Sequence, residues 1–196
     1  MQERGYCDVE VITTGCIVAP KGFKAGTTYC GIKIAKDSLD LGIIFSEYPA
    51  TGAALFTTNQ IYAAPVGLSK KIIQKGCVRA FIINSGNANA CTGEQGYKDA
   101  GEMLRIAAKC LKISADELLV ASTGIIGRPL PMDKIAIGIK TAAASLGNAP
   151  EHGNAMARAI MTTDTKQKDI AVKVKISNKD VTIGGITKGA GMIAPN

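Results

Sequence analysis

Val78 to Ile83 is a near-continuous apolar run, and it ends abruptly in the polar stretch Asn84-Ser85-Gly86-Asn87-Ala88-Asn89. A strand that is dry on both faces reads this way, and the polar residues after it mark a loop of the kind that carries function. A strand covered on both faces needs other elements above and below it. The chain must therefore build layers.

Short apolar runs at Tyr29 to Ala35, Leu41 to Ser46 and Leu55 to Thr58 predict strands, the first two parted by the turn Lys36-Asp37-Ser38. Pro65 opens a helix where its missing N–H is harmless; Leu68, Ile72 and Ile73 share a face and Gly76 supplies a left-handed stop. Ala100, Met103, Leu104, Ala107, Ala108 and Leu111 form the buried stripe of a second helix. Ser114 to Glu117 has the spacing of a capping box, and Leu118 to Ala121 is a short strand running into Ser122-Thr123-Gly124. Pro131 opens a third helix, with Ile135, Ile139, Ala142, Ala143 and Leu146 inward and a stop at Gly147; another helix covers Ala155 to Met161. Ile170, Val172, Val174 and Ile176 alternate with Ala171, Lys173 and Lys175, which predicts a hairpin with one dry and one wet face, turning at Ser177 to Asp180 and returning over Val181 to Thr187. The expected fold class is α/β in the layered α+β sense: one domain over residues 1–196, sheets in the middle and helices outside.

Composition narrows the function. Hydrophobic residues make up 46% of the chain and charged ones 20%, which describes a packed core rather than disorder. No apolar run is long enough to span a bilayer, and Met1 to Tyr6 lacks the layout of a signal peptide, so a cytoplasmic protein without membrane contact is expected. The net charge of +7 raises the possibility of nucleic acid, but Lys and Arg are dispersed, aromatics are 5% and Trp is absent, so no base-stacking platform is evident. An acidic substrate or partner accounts for the charge better, and nucleic acid is not expected. Cys7, Cys16, Cys30, Cys77, Cys91 and Cys110 show no metal-site spacing, so no metal is expected and they read as small buried residues in a reducing compartment. His152, the one histidine, precedes Gly153 and reads as a surface residue.

Four small-residue segments are candidates for chemistry. Asn84 to Ala90 suits either a structural turn or a functional loop. In Ser122 to Gly127, a hydroxyl followed by glycine after a strand can present an O–H and a bare N–H together, as an oxyanion hole does, though Ser-Thr-Gly is also a common turn. Thr162-Thr163-Asp164-Thr165 ends a helix, where hydroxyls cap turns or line pockets. Lys188, among glycines, either meets a carboxylate as a point charge or is merely solvated. Gly184, Gly185, Gly189 and Gly191 crowd a segment ending Ile193-Ala194-Pro195-Asn196, which reads as a chain cut rather than finished.

In order and spacing, Asn84 to Gly93, Ser122 to Gly127 with Leu130-Pro131-Met132, Thr162 to Thr165 and Lys188 to Asn196 resemble the ornithine acetyltransferase family, from about Cys16 onward. The resemblance implies a precursor that cleaves itself before a threonine, with this sequence as the alpha chain. The beta chain then carries the threonine nucleophile, whose own α-amino group serves as base. It implies acetyl transfer from N-acetylornithine to glutamate through an acyl-threonine, with Thr123 and Gly124 as oxyanion donors and Thr162 and Lys188 as substrate contacts. It also implies two stacked sheets between helical layers shared by the two chains, and an alpha2-beta2 heterotetramer. No cofactor is implied, although bifunctional members also take acetyl-CoA as donor. A self-cleaving aminopeptidase or amidohydrolase is the nearest rival, and a basic binding module the more distant one.

Overall fold

The computed structural model describes residues 9–35 and 38–189. The elements are β1 (Val9–Val11), β2 (Phe23–Thr28), β3 (Leu41–Thr51), α1 (Ala64–Ile72), β4 (Cys77–Asn87), α2 (Gly93–Leu111), β5 (Leu118–Ile125), α3 (Met132–Ala144), α4 (Pro150–Ala159), β6 (Lys168–Ile176) and β7 (Lys179–Thr187). The predicted turn at Lys36 and Asp37, the thiol of Cys7 and the end of the chain from Ala190 lie outside the described residues.

The apolar run at 78–83 is the middle of β4, and it is covered on both sides as its composition demands. The larger sheet has the order β2-β3-β4-β5, antiparallel except for the parallel pair β4/β5, which α2 connects. On one face Leu41, Ile43, Ala80, Ile82, Leu118 and Val120 meet Met103, Leu104, Ile135 and Ile139 of the helices. On the other, Ala25 and Ile44 join Cys16, Val18 and Met156 of α4. The approach of α4 is so close that a Cβ at Gly42 would collide with the Met156 sulfur. Truncating a buried residue such as Ile82, which has no exposed surface, costs about 2–5 kcal/mol.

The smaller sheet is antiparallel, in the order β1-β6-β7, and contains the predicted hairpin in full. Layered sheets with helices packed against them are therefore the architecture, with α4 reaching both sheets. The dry face of the hairpin differs from expectation. Small Ala171 and Ile186 turn toward the α4 side, while Ile170, Ile176 and Ile183 remain 53%, 50% and 51% exposed, beside Val9 and Val11 at 58% and 59%. The alternation is correct, but within this chain nothing described covers that face.

Two predicted strands are absent. Residues 29–35 bend instead of extending, because the buried Asp40 carboxylate accepts the backbone N–H groups of Cys30, Ile32 and Lys33 at 2.8, 2.7 and 3.2 Å, which a sheet ladder would otherwise use. Leu55 to Thr58 finds no neighbouring strand, and Leu55 is fully exposed. The third helix ends at Ala144, and Gly147 pairs with Ala25 through two backbone hydrogen bonds rather than stopping the helix. His152 is half-buried against Gly147 instead of lying on the surface. Among the described cysteines only Cys16 is fully buried; Cys30 and Cys77 are half-buried, and Cys91 and Cys110 are exposed.

Candidate active site

The parallel strands β4 and β5 stay in register through Asn84–Ser122, Ser85–Thr123 and Gly86–Gly124, and then part at a bulge where Asn87 faces both Thr123 and Ile125. At Gly124 φ is +135°, and any Cβ would strike the Gly86 carbonyl carbon. Only glycine brings the two backbones this close.

Where the ladder fails, asparagine side chains replace it. The Asn84 Oδ1 accepts from the Ser122 hydroxyl at 2.6 Å, and its Nδ2 donates to the Asn87 carbonyl at 2.9 Å. Asn87 Nδ2 donates to the carbonyls of Arg128 and Pro129, and its Oδ1 accepts the Asn89 N–H. Asn89 in turn bonds the Gly96 carbonyl and the Thr92 hydroxyl. Asn84 and Asn89 have no exposed surface, and each polar atom left unpaired there would cost about 1–3 kcal/mol. The asparagine-rich segment begins as strand rather than turn or loop, since Asn84 to Asn87 end β4, and its side chains form a buried brace under Ser122 and the backbone that follows.

Above that brace lies a cleft of about 890 Å³, and Thr123, Gly124, Thr162 and Lys188 all line it. Gly86, Ala88 and Ala90 form its floor beside them. One wall is the bent segment Ile32 to Ala35, which Asp40 holds in place. Arg158 at the end of α4 and Arg128 after β5 complete the rim. Lys33, Arg128 and Arg158 carry no motif of their own in the sequence, although Arg128 directly follows the Ser122 to Gly127 segment and Arg158 stands four residues before Thr162.

The cleft is electropositive. Lys33, Arg128, Arg158 and Lys188 line it, and Arg128 and Arg158 make no ion pair among the described residues. Burial lowers the pKa of Lys33, whose ammonium donates to the Leu39 carbonyl at 2.7 Å. The lining acid, Asp164, is already engaged. Its carboxyl is held well below the usual carboxylate range by the Lys168 ammonium first and then by the Gly189 amide. Other nucleophiles recede. The Cys30 thiol is pushed up to about 12 by burial and then by Asp40, so it stays protonated at neutral pH. No His/Cys/Asp/Glu group suited to a metal occurs among the described residues, and none of their helices is long and apolar enough to cross a membrane.

Fold and cleft together describe a layered α+β chain with its site at the carboxyl ends of a parallel strand pair, ringed by cations. The chain belongs to the ArgJ family, whose profile matches residues 24–196. It is 50% identical over 185 residues to the arginine biosynthesis bifunctional protein ArgJ of Caldanaerobacter subterraneus subsp. tengcongensis, covering 94% of this chain and 45% of that protein. The ArgJ protein of Dehalococcoides mccartyi is 46% identical over 189 residues, covering 96% and 46%. The chain thus spans a little under half the length of these relatives. The crystal structure of the ArgJ protein of Bacillus halodurans superposes with a TM-score of 0.92 at 40% identity, over 97% of this chain and 98% of that one. Ornithine acetyltransferase from Mycobacterium tuberculosis, solved in complex with ornithine, gives 0.87 at 38% identity, over 96% and 99%.

Proposed function

We propose that this chain is the oxyanion-stabilising half of an acetyltransferase that passes an acetyl group from N2-acetylornithine to glutamate in arginine biosynthesis. The observation that carries the reading is convergence. Thr123 and Gly124, Thr162, and Lys188 come from three distant stretches of backbone and line one cleft. A second chain of the same precursor supplies an N-terminal threonine. Its hydroxyl attacks the acetyl carbonyl, with its own α-amino group taking the proton, and ornithine leaves. Glutamate then takes the acetyl group from the acyl-threonine.

Each half-reaction passes through a tetrahedral oxyanion, for which the Thr123 hydroxyl and the Gly124 N–H are the donors. The cationic lining, with its one acid neutralised, suits substrates that carry carboxylates. Lys188 meets the acid end of the amino acid and Thr162 contacts substrate beside it. No cofactor takes part; acetyl-CoA is the alternative donor to try in the same assay. The working unit is an alpha2-beta2 heterotetramer in the cytoplasm.

Thr123→Ala in the complete two-chain protein tests the reading. Loss of one oxyanion donor lowers kcat for acetyl transfer by on the order of 10²–10³, with the protein still folded. An unchanged kcat would reduce Thr123 to a turn residue. Acetate formed in place of acetylglutamate would make water the acceptor and the protein a hydrolase.

A further inference from the structure

The substrate-contact residues sit on different elements: Thr162 follows α4, and Lys188 follows β7. A single carboxylate joins the two stretches. The side chain of Asp164 is 1% exposed. Its Oδ1 accepts the Gly189 N–H at 2.8 Å across 25 residues of sequence, and also the Lys168 ammonium at 2.7 Å. Its Oδ2 accepts the N–H of Thr162 at 3.3 Å.

We infer that Asp164 is a positioning residue for substrate binding: its carboxylate fixes the spacing between Thr162 and Lys188, and so sets a hydroxyl and an ammonium onto one amino-acid substrate. The inference rests on reading the cleft as an acetyl-transfer site. Three donors converge on two oxygens, so Asp164 has little capacity left to accept a proton or to bind a substrate ammonium directly. Lys168 cancels its charge, which leaves Lys188 free of local competition for the substrate carboxylate. The carboxylate thus acts on substrate through two backbone amides rather than by touching it. Fixing two groups in advance removes ordering cost from binding, so the effect belongs on affinity and not on the chemical step.

A double-mutant cycle on the mature two-chain protein tests this. Ornithine dissociation constants are measured by calorimetry, alongside kcat and KM for acetylornithine, for wild type, Asp164→Asn, Lys188→Met and the double variant. Asp164→Asn should weaken ornithine about tenfold and raise KM similarly, with kcat changed by less than about threefold. Because Asp164 acts partly through Lys188, the double variant should lose about 10–20-fold rather than the roughly 100-fold of independent sites. Wild-type affinity in Asp164→Asn, or a fully multiplicative double variant, overturns the inference. If Asp164→Asn does not mature, Lys168→Met replaces it, since that change leaves both amide contacts in place but loosens the carboxylate. Coupling with Lys188→Met is again expected, and strict additivity refutes it. A wild type that neither binds ornithine nor transfers acetyl overturns the acetyl-transfer reading and this inference together. A competent wild type without coupling overturns the role of Asp164 alone.

Discussion

At the scale of single residues, the cysteines differ in ways that chemistry can read directly. Cys91 and Cys110 are exposed, Cys16 is buried, and the Cys30 thiol is raised by burial and by Asp40. Alkylation requires thiolate. Brief iodoacetamide treatment of the native chain near pH 8 should therefore label Cys91 and Cys110 and spare Cys16 and Cys30 until denaturant is added. Peptide mass mapping checks this, and early labelling of Cys30 would contradict its described environment. Which residues were legible in the sequence follows from the range of their contacts. Thr123-Gly124 is a local hydroxyl-glycine step, which the sequence places after a strand and the structure places within the last residues of β5, so residue type and order suffice to single it out. Asp164 and Asn84 acquire their roles from Gly189 and Ser122, 25 and 38 positions away, and composition says nothing about such partners.

At the scale of elements, β5 carries Thr123 and Gly124 yet lies at the edge of its sheet, with β4 on one side only. Ser69 of α1 guards that edge, donating its hydroxyl to the Val120 carbonyl at 2.8 Å and accepting the Val120 N–H at 3.0 Å. Ser69→Ala leaves both backbone groups without a protein partner in a buried place, a cost of about 1–3 kcal/mol. The denaturant midpoint should fall accordingly with an unchanged slope; an unaltered midpoint would mean that water or another group replaces the hydroxyl. Among the elements read correctly from sequence are those whose apolar spacing is self-sufficient, such as β4, α1 with its stop at Gly76, α2 and the pairing of the β6/β7 hairpin, whereas α3 is placed correctly but ends before Gly147. Tyr29 to Ala35 has the composition of a strand and fails because the carboxylate of Asp40, a few residues further on, claims its amides. The strand β2, Phe-Lys-Ala-Gly-Thr-Thr, went unread because it has almost no apolar pattern and depends on β3 for its register.

At the scale of the molecule, the outer face of the β1-β6-β7 sheet is the unfinished part. Five aliphatic side chains there are half or more exposed, an arrangement that isolated soluble chains seldom keep. Residues 1–196 produced alone should bind an apolar dye and self-associate on size exclusion. Ile183→Lys should diminish both effects, and co-production with the proposed second chain should abolish them. A monodisperse, dye-silent fragment would show that this surface needs no cover. That face was legible as an alternation of apolar and polar residues, but not as an outward-facing one, because periodicity identifies two sides without saying which is buried. The helix α4 packs on β2 and β3, also reaches β6, and its end leads within three residues to Thr162. It spans from one sheet to the other like a strut, and its far end carries Arg158 to the same cleft that Thr162 lines.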